Sequence, residues 1–134
     1  MSRASDPGLL LDTHVFLWWA AADDRLSDGM RAAIADPGTD VVLSVVSAWE
    51  VTIKHGLGRL DLPSTPRALV KDQVARHGFR VLDVSLEHAL AVGDLPRHHA
   101  DPFDRPLIAQ AGTEDLRVVT ADAAFAAYDV TTVA

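Results

Sequence analysis

Gly8-Leu9-Leu10-Leu11-Asp12-Thr13-His14 is the stretch whose reading decides the fold. Three consecutive leucines closed by an acid suit a strand covered on both faces, although run length alone does not exclude a helix. Residues 13–22 (THVFLWWAAA) then read as a helix capped by Asp12 or Thr13. The same alternation continues outward. A helix over 27–35 has Ser27 as N-cap and Met30, Ala33 and Ile34 inward, and Asp36-Pro37-Gly38 ends it. Val41-Val42-Leu43 is a second apolar strand, followed by a helix opened by Ser44 or Ser47 and running to about Lys54. A helix over 65–77, a strand over 79–84 and a helix over 86–92 follow. A His- and Pro-rich loop, a helix over 103–111, a strand over 117–120, a short helix over 123–127 and a last strand over 130–133 complete the pattern. Short apolar strands alternating with helices predict an α/β sandwich around a mainly parallel sheet. Residues 1–8 read as a flexible leader and 9–134 as one domain.

Composition narrows the function classes. The chain has 134 residues, 49% of them apolar, enough for one domain with a core of its own. There is no cysteine, which excludes disulfides, a thiolate nucleophile and a cysteine-bound metal. No apolar run approaches the roughly 20 residues of a membrane span, and no secretory core opens the chain, so a cytoplasmic protein without membrane contact is expected. The net charge is −7, which argues against a passive nucleic-acid binder. The acids are 16 Asp and 3 Glu, although Glu is the better helix former. Asp prefers caps, turns and metal sites.

In parallel sheets, ligands bind beyond the carboxyl ends of the strands. Asp12 follows the first strand, Glu50 lies on the helix after the second, Asp104 opens the helix 103–111, and Asp122 stands two residues past 118–120. Crowded carboxylates repel one another, and a hard divalent cation resolves the conflict. Such ions activate water and stabilise the leaving oxygen in phosphodiester hydrolysis. Simpler roles also suit these residues. Asp12 and Asp122 fit as helix caps, Asp104 as a first-turn carboxylate, and Asp101 before Pro102 as an N-cap. Glu50, in an otherwise apolar segment, needs a partner if buried; a metal or an arginine would serve.

Trp18, Trp19 and Trp49 read as core residues, with Trp18 or Trp19 also suited to a partner surface. The six histidines form no metal-binding spacing, and there is no phosphate-binding glycine loop or nucleophile elbow. Lys54, Arg59, Arg97, His98, His99 and Arg105 lie beside the acidic segments and are candidate phosphate contacts.

Four segments in order resemble the PIN-domain family, and in spacing and length its VapC-type toxins. They are Leu10-Leu11-Asp12-Thr13-His14; Ser47-Ala48-Trp49-Glu50-Val51 with Lys54 to Leu60; His98 to Arg105 with Leu107 to Ala111; and Val119-Thr120-Ala121-Asp122 with Phe125. The resemblance implies a PIN-like three-layer α/β/α sandwich. It implies a Mg²⁺- or Mn²⁺-dependent endoribonuclease acting as the toxin of a type II toxin–antitoxin module. Asp12, Glu50, Asp104 and Asp122 would be its acidic quartet and metal ligands, with Asp101 a possible auxiliary. RNA as substrate, a cognate antitoxin and a homodimer are implied as partners. Two other readings remain: a PIN nuclease acting on DNA or in RNA processing, and a non-catalytic interaction module. Pro106 departs from the family pattern, which has an apolar residue such as Leu there. It fits if Asp104 opens the helix and lies too deep if Asp101 does.

Overall fold

The computed structural model describes residues 8–98 and 101–134. Five parallel strands form the sheet: β1 (Leu9–Leu11), β2 (Val41–Ser44), β3 (Arg80–Leu82), β4 (Arg117–Val119) and β5 (Thr132–Val133), in the order β3-β2-β1-β4-β5. The helices are α1 (Thr13–Ala21), α2 (Asp28–Ala35), α3 (Val45–Gly56), α4 (Pro66–His77), α5 (Leu86–Val92) and α6 (Asp104–Glu114), with a 3₁₀ turn at Ala123–Ala127.

The triple leucine is explained by the two faces of β1. Leu9 and Leu11 join Val15 and Phe16 of α1, Met30 and Ile34 of α2, and Phe79 in one core. Leu10 points the other way, into a second core with Val46 of α3, Leu107, Ile108 and Ala111 of α6, and Phe125. All three leucines are fully buried, each worth roughly 1.5–3 kcal/mol relative to exposure. Helices on both faces of a parallel sheet make the three-layer α/β/α sandwich that the sequence predicts.

Local chemistry sets the boundaries. Ser27, Ser44, Thr65 and Ser85 each accept a backbone N–H as N-caps of α2, α3, α4 and α5. Ser44, not Ser47, opens α3, and it does so from the last position of β2, so strand and helix meet without a loop. Gly8 is buried, and its carbonyl accepts the Arg117 N–H at 3.0 Å. A Cβ at Gly8 would come within 2.9 Å of the Asp40 carbonyl oxygen, so only glycine fits this approach. The rest of the expected leader, residues 1–7, lies outside the described residues.

Several expectations need correction. Trp49 is not in the core: it is 60% exposed, while Trp18 and Trp19 are half-buried. The strands at 79–84 and 130–133 are shorter than predicted, and α6 runs three residues past the predicted end at Ala111. Pro106 is comfortable because α6 begins at Asp104, which puts the proline in the first turn. No helix among the described residues is long and apolar enough to cross a membrane.

Candidate active site

All five strands run the same way, so their carboxyl ends share one rim. Asp12 stands there by continuing β1, and it is only 3% exposed. It holds the N-cap position of α1, yet its side chain makes no capping hydrogen bond. Instead, Oδ2 accepts the Thr120 hydroxyl at 2.8 Å. That contact follows from register, because Leu11 pairs with Val119 and the next residues of both strands meet. Asp12 Oδ1 is buried without a partner. Burial raises the Asp12 carboxyl above its ordinary value. The Thr120 bond and nearby His14 oppose that shift, and nearby Glu50 adds to it.

Glu50 comes to the same rim from α3. Ser47, Glu50 and Lys54 share one helical face, being three and four residues apart. Ser47 accepts the Thr13 hydroxyl at 2.9 Å, which ties that face to the start of α1. Glu50 is 2% exposed, and its Oε2 is ion-paired with Lys54. Its Oε1 is buried without a partner. The partner anticipated for Glu50 was an arginine or a metal; the structure shows a lysine one turn along the same helix.

Asp104 is largely buried at the first position of α6. Asp101 caps the turn before it, its Oδ1 accepting the N–H groups of Phe103 and Asp104 at 2.8 and 2.9 Å. Both acids lie near enough to Lys54 to raise its pKa, after the larger effect of Glu50. Asp122 is exposed and caps the 3₁₀ turn, accepting the Ala124 N–H at 2.9 Å. Its own N–H donates to the Thr120 hydroxyl at 3.0 Å, so Thr120 joins the Asp12 and Asp122 segments.

The four acids thus stand along one rim, three buried and one exposed. Among the described residues, no three acidic or histidine side chains converge into a finished ion-binding cage. The donor set nonetheless fits a hard cation. Two buried carboxylate oxygens, Asp12 Oδ1 and Glu50 Oε1, have no partner, and an uncompensated buried charge is costly. Of the candidate phosphate contacts, Arg105 is engaged elsewhere. It donates to the carbonyls of Val92, Leu95 and Pro96 and clamps the segment after α5. His98 packs edge-on to Tyr128, with ring centroids 5.4 Å apart. His99 lies outside the described residues.

Sequence reasoning passed over one buried network. His88 takes the Ser85 N–H on Nδ1 at 3.0 Å, and its Nε2 meets Glu114 at 2.8 Å. Gln110 reaches His88 at 3.3 Å, and its Oε1 accepts the Ser44 hydroxyl. This chain of contacts fixes the start of α3, and hence the height of Glu50, against α5 and α6. The Ser85–His88 spacing, a capping box with histidine as its third residue, is the sequence signal that could have exposed it.

A parallel sandwich with acids along the carboxyl rim defines a class, and the PIN domain family model matches residues 9–130. The chain belongs to the PIN-domain family, in its VapC-type branch. Over 115 residues it is 30% identical to Ribonuclease VapC22 of Mycobacterium tuberculosis, covering 85% of this chain and 86% of that protein. A shorter match to Ribonuclease VapC16 of the same organism is 36% identical and spans 43% of this chain and 41% of that protein. The DNA-bound VapBC structure from Salmonella typhimurium superposes with a TM-score of 0.69 at 18% identity, covering 94% of this chain and 96% of the other.

Proposed function

We propose that the protein is a divalent-metal-dependent endoribonuclease, the toxin of a type II toxin–antitoxin module, formed by a single domain over 9–134. The observation that carries this reading is the pair of unpartnered buried oxygens, Asp12 Oδ1 and Glu50 Oε1, on the carboxyl rim. Its similarity to two relatives named as ribonucleases, within the PIN-domain family, supports it. Asp12, Glu50, Asp104 and Asp122 would hold Mg²⁺ or Mn²⁺, which supplies Lewis-acid activation of water and charge neutralisation at the phosphodiester.

The chain's own residues prepare that chemistry. Thr120 orients Asp12 by donating to Oδ2, and Oδ1 is buried without a hydrogen-bond partner of its own. The Thr13–Ser47 bond locks α3 against the end of β1 and so fixes Glu50 relative to Asp12. Asp101 holds the first turn of α6, and with it Asp104, by two backbone bonds. These bonds fix the backbone positions from which the acids reach the rim.

The reading includes a cognate antitoxin, a homodimer and action in the cytoplasm. The Salmonella neighbour was solved as a VapBC pair on DNA. A protein partner is further supported by an apolar cleft of about 420 Å³ between α3, α5 and α6, flanked by exposed Trp49 and Ile53.

The test is cleavage of total RNA with and without Mg²⁺, with cut sites mapped by sequencing. Wild-type protein should cut only with the ion, and Asp12→Asn should not cut at all. Undiminished cleavage by Asp12→Asn would falsify the assignment.

A further inference from the structure

Lys54 stands beside Glu50 on the acidic rim. Its ammonium is paired with Glu50 Oε2 and lies 5.8 Å from the centroid of the Phe103 ring, at the approach to α6. Glu–Lys pairs four residues apart are common on helix surfaces, where water screens them and they contribute little. This pair differs, because Glu50 is buried and its other oxygen has no partner. Asp101 and Asp104 act on the same ammonium across the gap between α3 and α6. Lys54 therefore pairs directly with Glu50 on α3 and feels the charges of Asp101, in the turn before α6, and Asp104, at its first position; Glu50 and Asp104 are members of the proposed metal-binding quartet.

We propose that Lys54 is an exchangeable counter-cation of the acidic rim, holding Glu50 in the metal-free protein and giving up that carboxylate when a divalent ion is held. The inference rests on the metal-dependent reading above. Two cations at one carboxylate repel, so a retained ammonium would oppose ion binding. Lysine suits exchange: its charge sits on a flexible four-carbon stem, and its side chain is 34% exposed, enough to swing into solvent. A merely structural clamp has the opposite signature. If Lys54 only fixed the Glu50 rotamer, its loss would weaken ion binding.

Mn²⁺ titration separates the two, with free ion followed by electron paramagnetic resonance at neutral pH and fixed ionic strength. Lys54→Met keeps the stem and removes the charge. It should bind Mn²⁺ about tenfold more tightly than wild type, the size expected for one nearby, partly screened charge. Lys54→Gln should move the same way and carries the test if the methionine variant does not fold. Lys71→Met, on exposed α4, should stay within about twofold of wild type, since distant exposed charges are screened. Equal or weaker Mn²⁺ binding by the Lys54 variants overturns the counter-cation role and leaves the nuclease reading intact. No saturable Mn²⁺ binding by wild-type protein overturns both.

Discussion

Asp12→Asn should make the metal-free protein more stable while removing its activity. The wild-type carboxylate is 3% exposed, with one oxygen bound to Thr120 and the other unpartnered. Burial raises its pKa above 3.8, so the folded chain binds more protons than the unfolded chain between 3.8 and the raised value. Stability therefore falls as pH rises through that window, and above it the full cost of the ionised carboxylate is carried. An unsatisfied buried charged group costs on the order of 1–3 kcal/mol or more. Asparagine keeps an acceptor for Thr120 but loses the charge-assisted part of that bond, which returns some of the gain. A net stabilisation of about 1 kcal/mol remains at neutral pH, or roughly 4 °C in Tm for a chain of this length. Scanning calorimetry from pH 5 to 8 in EDTA should show the advantage most fully at pH 7–8 and shrinking toward acid. Added Mn²⁺ should raise the Tm of wild type and leave the variant unmoved. A variant less stable than wild type in EDTA at pH 7 would refute the claim that Asp12 is held at a cost.

Thr120→Val keeps the shape but deletes the donor to Asp12 and the acceptor of the Asp122 N–H. Urea unfolding should show a loss of about 2 kcal/mol, and RNA cleavage should fall along with it. Asp101→Ala removes a cap, so stability should drop by about 1 kcal/mol while Mn²⁺ affinity changes little. A large loss of affinity would instead make Asp101 a ligand. Trp49→Ser should change the unfolding free energy by no more than about 0.5 kcal/mol in urea titration, because Trp49 is mostly exposed. A larger cost would mean that the indole still packs against the fold.

The architecture was legible because β1 is covered on both faces, which leaves an uninterrupted apolar run with an acid at its end. The rim positions of Asp12 and Glu50 follow from that reading alone. Trp49 was misread because apolar residues kept for a surface look the same in sequence as those of a core. The apolar run 45–53 suggested a helix buried nearly all round, whereas α3 turns Trp49 and Thr52 to solvent. The role of Thr120 is not legible in sequence, since a hydroxyl at a strand end leaves no periodic trace. Its role appears only once the β1–β4 register sets it beside Asp12. The Glu50–Lys54 pairing was available from spacing, but the burial of Glu50 was needed to give it meaning.

The bond between Asp12 and Thr120 joins residues 108 positions apart. The first described strand is the middle of the sheet, so it waits during translation for neighbours made much later. β2 can join it early, but β4 and Thr120 are synthesised only after almost all of the helices. Long-range parallel pairing is slow to form. A nascent chain therefore carries Asp12 without the donor that orients it until residue 120 has been added. If the protein is the nuclease proposed above, that order of assembly withholds a competent site until the ribosome making it has nearly finished with the fold.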